Sequence, residues 1–358
     1  MTKVLAGLRV LEFAAIGPVP WSGMVLADLG ASVVRVERPG SQAEKDTLGA
    51  VRRGRLQVEL DLKSAAGREE ALRLIASADV LLEGLRPGVM ERLGLGPAEA
   101  LAANPKLVYA RMTGWGQQGP MAQEAGHDIN YIALTGALHA IGPAERPVPP
   151  LNLVGDFGGG GAFLLIGLLA ALWQVRASGR GQVVDAAMVD GAATLMAMIY
   201  SRHAMGQWKD DRVSNPLDGG LPWYDTYRTA DGQFMAVGAL EPQFYDELLR
   251  RLDLSGRLPD RQAPEAWPVI RARFAEVFAT RTRDDWARHF AGSDACVSPV
   301  LSLAEAPHHP HNAARGNFAA HGQGHVPGAA PVFDGERPPL AADSQRVSVQ
   351  QALAAWQR

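Results

Sequence analysis

Apolar residues cluster in short segments through the first half of the chain, several followed by turn residues and helical spacing. Short apolar-rich segments of about four to six residues bounded by turn signals are the pattern of strands. On this pattern Leu8 to Phe13, Ser32 to Val36, Leu56 to Leu60, Val80 to Glu83 and Leu107 to Met112 are strands. Trp21 to Leu29, ended by Gly30, and Gly67 to Ala76 are helices between them. Strand, helix, strand in alternation predicts an α/β fold: a Rossmann-like parallel-sheet large domain with helices on both faces.

Helical spacing then takes over, at Ile129 to Ala140, Gly159 to Val175 and Asp190 to Met205, with one short strand at Gln182 to Ala186. The longest uncharged apolar stretch, Phe157 to Trp173, is short for a bilayer and reads as a buried core helix, so no membrane span is expected. Met196, Met198 and Met205 read as core residues of their helix. From 207 to 224 Asp, Gly and Pro break every period. Beyond, Tyr224 to Thr229 and Phe234 to Val237 flank Asp231-Gly232, a hairpin signal. Helical patterns follow at Pro242 to Leu252 and Arg283 to Phe290. The expected organisation is a large domain of residues 1–200 and 322–358, a linker at 201–224, and a smaller α+β domain at 225–321. Residues 320–345, rich in Gly, Pro and His, read as a surface excursion.

Composition narrows the function classes. A net charge of −3 over 358 residues argues against a nucleic-acid partner. The single cysteine, Cys296, excludes an intrachain disulfide and any multi-Cys zinc site, and reads as a small buried hydrophobe. His308-His309-Pro310-His311 has no carboxylate or thiol cluster beside it and reads as a surface loop, so no metal site is expected. The apolar run from Val4 to Ile16 contains Arg9 and Glu12, which makes a poor secretory signal, and Ala355 to Arg358 is no peroxisomal address. A cytoplasmic protein is expected. Glycine (39) and proline (24) are over-supplied.

The opening β-α-β unit ends its second strand on Glu37, as a dinucleotide fold does. Its first turn, Ala14 to Pro20, lacks G-x-G-x-x-G, and proline there removes N–H groups that would cradle a pyrophosphate. A nicotinamide site is therefore disfavoured. Basic residues gather nonetheless at Arg38, Arg52, Arg53, Arg55, Lys63, Arg86 and Arg92, several just after strand ends, which suits a small phosphate-bearing ligand. His127 follows Gly126 at the start of a helix, and Asp156 stands at the mouth of the apolar helix. Each has a plain reading as a helix-capping residue. Gly158 to Gly161 are costly as helix and make sense where a bulky ligand lies against backbone. Glu241, between a strand and a helix of the smaller domain, reads on its own as a cap.

The most specific segments are Met112-Thr113-Gly114-Trp115-Gly116, Gly126-His127-Asp128-Ile129-Asn130-Tyr131 and Gly155-Asp156-Phe157-Gly158-Gly159-Gly160. With Leu5 to Val10, Val33 to Gly40, Asp61-Leu62-Lys63, Gly84 to Gly88 and Arg92-Leu93-Gly94, they resemble the α-methylacyl-CoA racemases of the family III CoA-transferase (CaiB-BaiF) superfamily. The resemblance implies a CoA-binding α/β domain plus a small domain, in an interlocked homodimer whose active sites are shared between chains. It implies R/S interconversion of 2-methylacyl-CoA thioesters, of the kind found in lipid metabolism, through an enolate. No cofactor is implied beyond the CoA of the substrate. By position His127 and Asp156 match the two catalytic bases, and Glu241 the glutamate supporting the histidine. Arg38, Leu62, Lys63, Gly84, Arg86, Arg92 and Gly126 fall in the CoA-holding segments, with Asp128, Tyr131 and Asn152 in supporting places. Backbone N–H groups near the Asp156 glycine run are expected to stabilise the enolate oxygen. The alternative within the superfamily is CoA transfer, with Asp156 as nucleophile. A transferase needs no second base, so His127 favours the racemase. A nicotinamide-dependent oxidoreductase stays as the alternative from a different class.

Overall fold

The structure, a computed structural model, describes residues 3–41 and 49–357; Met1, Thr2 and Arg358, parts of the end segments read above, lie outside them. The elements run β1 (Arg9–Phe13), α1 (Pro18–Asp28), β2 (Ser32–Glu37), β3 (Arg55–Glu59), α2 (Ala65–Ser77) and β4 (Val80–Glu83). They continue with α3 (Val89–Arg92), α4 (Pro97–Ala103), β5 (Val108–Thr113), α5 (Asp128–Leu134), α6 (Ala137–Ala140), α7 (Phe163–Ser178), β6 (Gln182–Ala187), α8 (Met188–Leu195) and α9 (Ala197–Ala204). Next come β7 (Tyr224–Arg228), β8 (Phe234–Gly238), α10 (Pro242–Arg251), α11 (Trp267–Phe278), α12 (Arg283–Phe290) and β9 (Val297–Pro299). The chain closes with α13 (Pro310–Arg315), β10 (Phe318–His321), β11 (Gly324–Pro327), β12 (Gln345–Arg346) and α14 (Val349–Trp356).

Two compact units divide the chain. The first takes residues up to Ala137, Pro150–Ala197 and those from Pro310 onward. Its seven-stranded sheet has the order β12-β3-β2-β1-β4-β5-β6, and every pairing is parallel. Successive strand residues point to opposite faces. Leu11, Val34, Val36 and Leu81 pack with Leu74 and Ile75 of α2 and Trp356 of α14. Val10, Val33, Val80 and Val108 pack on the other face with Leu26 of α1 and Leu164 and Leu168 of α7. Two-sided burial is why these strands are rich in apolar residues, and their charged members Glu12, Arg35, Arg55, Glu83 and Arg111 are buried in ion pairs.

Several expectations shift. α1 begins at Pro18, where a proline at the first helical position costs nothing because that N–H has no partner. The pattern from Ile129 to Ala140 breaks at Gly136, with φ 74°, and that from Asp190 to Met205 breaks at Met196. Leu153–Ala162 is a π-helical turn leading into α7. The stretch read as a buried core helix is buried on one side only: α7 packs Leu164, Leu168 and Ala171 inward, while Ile166 is 60% and Trp173 74% exposed. The helix covers the sheet with one row, and among the described residues no layer of its own unit lies outside it. By length and composition Leu153–Ser178 is apolar enough to cross a membrane, yet its inner row belongs to the sheet core. Part of the supposed surface excursion is ordered structure: β10 and β11 form a hairpin, and β12 extends the sheet beside β3.

The second unit, Leu138–Pro149 and Met198–His309, carries an antiparallel sheet β7-β8-β9. Tyr227, Met235, Phe274, Phe278 and Trp286 form its core with α10 to α12. Residues 201–224 are not a free linker but belong to this unit. Asn215 is buried, accepting the Lys209 N–H at 2.8 Å and donating to Asp218 at 2.8 Å, and Trp223 joins the core. Their polar groups satisfy one another, which a period-based reading does not see. The return to the first unit comes at Pro310 rather than at 322, since Arg337 donates to the Arg315 carbonyl at 3.1 Å and to Asn317 at 2.8 Å. Met198 and Met205 are 50% and 59% exposed rather than core. Cys296 is exposed too, at φ 52°, in the turn before β9.

Candidate active site

The sheet order reverses between β1 and β4, and in open parallel sheets the crevice at that point, beyond the C-terminal strand ends, is where ligands bind. A cavity of about 390 Å³ opens there. Ile16 to Val19 after β1, Gly84 to Pro87 after β4, Met112 to Trp115 at the end of β5 and Met188 after β6 line it. Gly126, His127, Tyr131 and Asp156 also line it, with Ala122, Glu124 and Ala125.

His127 is the N-cap residue of α5, in an extended conformation. Its backbone N–H donates to the Asn130 side-chain oxygen at 3.0 Å, so the cap is closed from the Asn130 side and the imidazole stays exposed. Asp156 comes from the π-helical turn. Its N–H donates to Oδ2 of Asp128 at 2.6 Å, and Asn152 donates to its Oδ2 at 3.2 Å. Asp128 is buried, with Oδ1 lacking a partner among the described residues. Burial is the main cause that raises the Asp156 carboxyl above the usual carboxylate range. The Asn152 hydrogen bond and His127 work against that rise, and the Asp128 charge adds to it. Burial likewise raises the Tyr131 phenol, with Asp156 contributing.

The glycines do a different job from the one expected. A Cβ on Gly159 would meet the Ala192 backbone nitrogen at 2.5 Å, one on Gly160 the Met188 side chain at 2.9 Å, and one on Gly161 the Trp21 ring at 2.5 Å. Gly158 to Gly161 let α8 and α1 pack against the π-helical turn; they do not line the cavity. Gly126 lines the cavity and also makes room for the Tyr131 ring at 2.7 Å, as does Gly114 at 2.1 Å. Tyr131 in turn donates to the Gly126 carbonyl and meets Trp115 edge-on, centroids 4.8 Å apart. Gly17, at φ 67°, leaves 3.3 Å between a would-be Cβ and Oδ2 of Asp156.

The basic group divides. Arg53 pairs with Asp28 at 2.6 Å and Arg55 with Glu12 at 3.1 Å, all buried, and Arg52 lies 3.6 Å from Glu37. These three serve internal ion pairs, not a phosphate. Arg38, Lys63, Arg86 and Arg92 are exposed and carry no salt bridge among the described residues. Arg38 follows β2, Leu62 and Lys63 follow β3, and Arg86 and Arg92 follow β4, all on the C-terminal side of the sheet. Of the CoA-holding candidates, Gly84, Arg86 and Gly126 line the cavity, while Arg38, Leu62, Lys63 and Arg92 do not. Glu241 belongs to the second unit and is the N-cap residue of α10. Its carboxylate makes no capping hydrogen bond, so the plain capping role is not realised. The residue-by-residue reading did not single out Met188 or Trp115, whose place depends on where β6 and β5 end.

Residues 5–351 match the family described as CoA-transferase family III. The chain is 49% identical to the alpha-methylacyl-CoA racemase of Mus musculus over 345 residues, 96% of this chain and 89% of that protein. With the alpha-methylacyl-CoA racemase of Homo sapiens it shares 48% identity over 316 residues, 88% of this chain and 82% of the other. Its fold is similar to that of a CAIB/BAIF family protein from Brucella suis, with a TM-score of 0.81 at 26% identity, covering 99% of this chain and 98% of the other.

Proposed function

The chain belongs to CoA-transferase family III, and on that premise we propose that it interconverts the R and S configurations at C2 of 2-methylacyl-CoA thioesters. The observation that carries the reading is one cavity lined by an imidazole and by a carboxyl with raised pKa, His127 and Asp156. Inversion at carbon requires a base on one face and an acid on the other. One group takes the C2 proton, the electron pair moves into the thioester carbonyl as an enolate, and the other group returns a proton to the opposite face. A carboxyl whose pKa is raised by burial is better suited to start as the acid as well as the base. Proton transfer between carbon and side chains balances without an oxidant, and CoA enters as part of the substrate. The exposed bases Arg38, Lys63, Arg86 and Arg92, set along one edge of the sheet, suit the phosphates of CoA. In this reading Leu62, Gly84 and Gly126 border the CoA, and Asp128, Tyr131 and Asn152 hold the catalytic groups in place.

The working enzyme is proposed to be a homodimer with sites shared between chains, Glu241 of one chain supporting His127 of the other. The apolar outer side of α7, with Ile166 and Trp173 exposed, suits burial against a second copy. CoA transfer, with Asp156 as nucleophile, is the second reading; it leaves the His127 imidazole in the same cavity without a role as second base, which favours the racemase.

Incubating one epimer of a 2-methylacyl-CoA in deuterated water, without acceptor acid, decides between them. The racemase gives the opposite epimer with deuterium at C2. No exchange until a free carboxylic acid is added, and CoA then moving to it, would overturn the proposal in favour of transfer.

A further inference from the structure

Arg86, on the loop after β4, and Arg92, at the end of α3, have no side-chain hydrogen bond or ion pair among the described residues, so something else must fix the segment that carries them. Arg111, on β5 beside Glu83 of β4, is only 6% exposed. Its Nε donates to Glu83 Oε1 at 2.8 Å, and its Nη1 and Nη2 donate to the Glu91 carboxylate at 2.7 and 3.3 Å. The other oxygen of Glu83 accepts the Leu85 N–H at 2.7 Å. Thus one buried guanidinium grips the segment at both ends. At the start it acts through Glu83, which holds the backbone next to Arg86. At the end it holds Glu91, the neighbour of Arg92 on α3. Inside the grip, Gly88 sits at φ 83° and the Val89 N–H donates to the Arg86 carbonyl at 3.1 Å. The guanidinium lies 5.8 Å from the Tyr109 ring centroid, which limits its movement on the sheet side.

We propose that the Glu83–Arg111–Glu91 clamp is a positioning device that presents Arg86 and Arg92 together to the nucleotide end of the CoA thioester. The proposal rests on the CoA reading above. Its logic is entropic: a short loop with a left-handed glycine, left free, would have to be ordered by the ligand at each binding event. The planar fork of arginine is suited to two carboxylates at once, which a lysine ammonium is not. Burial raises the Glu83 carboxyl, and the Leu85 N–H and Arg111 both oppose that rise.

The clamp acts on binding of the nucleotide, not on the proton transfer. Removing uniform binding raises KM and leaves kcat unchanged. Glu91 is 43% exposed in its side chain, so Glu91→Gln opens the outer half of the clamp with little risk to folding. Epimerisation is measured with the 2-methylacyl-CoA and with the matching 2-methylacyl-pantetheine, which lacks the nucleotide. Glu91→Gln is expected to raise KM for the CoA thioester about fivefold, and Arg111→Lys about tenfold, at unchanged kcat. KM for the pantetheine thioester should not move. Equal rises for both thioesters, or a fall in kcat alone, would overturn the clamp. If the unaltered enzyme already handles the two thioesters with the same KM, the nucleotide assignment fails instead. Hydrogen exchange of residues 84–92 in the ligand-free enzyme then still judges the clamp. Faster exchange there in Glu91→Gln supports it, and unchanged exchange overturns it.

Discussion

Asp156 is held between opposing influences, and its pKa is where they meet. Burial and the Asp128 charge raise it, while the Asn152 amide and His127 oppose them. The proposed reaction runs on the singly protonated His127 and Asp156 pair, so turnover falls at low pH, where both groups hold protons, and at high pH, where neither does. Asn152→Ala removes a donor that favours the carboxylate. The Asp156 carboxyl then keeps its proton to higher pH, and the acidic limb of kcat/KM moves upward, in both directions of the reaction alike. A pH profile of kcat/KM for the variant checks this, and a limb that stays put or moves down contradicts it. Little of this balance is legible in the sequence. The Gly-His-Asp and Gly-Asp-Phe-Gly segments mark His127 and Asp156, but that Asp128 accepts the Asp156 N–H depends on two segments meeting across the fold.

At the scale of elements, the π-helical turn 153–162 packs against α8 with almost no space between backbones, and against the side chains of α1. A Cβ on Gly191 of α8 would fall 1.9 Å from the Gly159 carbonyl oxygen, and a backbone atom cannot swing aside as a flexible side chain does. Gly191→Ala should cost about 3 kcal/mol of stability through overpacking, and chemical denaturation followed by circular dichroism reads it. A variant as stable as the parent would mean that the two elements can separate freely. The helices and strands themselves were largely visible as runs and periods. Their close approaches were not: Gly158 to Gly161 suggested room for a ligand because a sequence shows missing side chains without showing what fills the space. The break at Gly136 and the two-residue strand β12 escaped for a related reason, each depending on one turn or one neighbour rather than on a period.

For the whole molecule, the apolar composition of α7 fits a helix with two buried sides, and one chain supplies only one of them. The sheet covers Leu164, Leu168 and Ala171, and Ile166 and Trp173 remain outside. In the proposed dimer the second copy covers them. Light scattering of the parent should give twice the chain mass, and Ile166→Glu with Trp173→Glu should give single chains with lost epimerisation. A monomeric parent with full activity would refute the arrangement. Mixing inactive His127→Ala chains with inactive Glu241→Ala chains should restore about a quarter to a half of the parent activity if each site draws on two chains. Verified mixed dimers without activity would confine each site to one chain.

The alternation of apolar-rich strand segments with helical spacing was sufficient to give a parallel sheet covered on both faces, because successive parallel strands need a crossover and helices supply it. The motif segments were sufficient to point to His127 and Asp156, since side-chain type and chain position are all that a motif contains. Tertiary structure alone decided which charges are internal: Arg53 and Arg55 are bound to Asp28 and Glu12, whereas Arg86 and Arg92 are left outward. It alone decided that Arg111 joins Glu83 to Glu91, and that α7 keeps an apolar side uncovered within its own unit. Ion pairing and burial are set by distances between segments far apart in the chain, and those distances exist only once the sheet has brought its strands together.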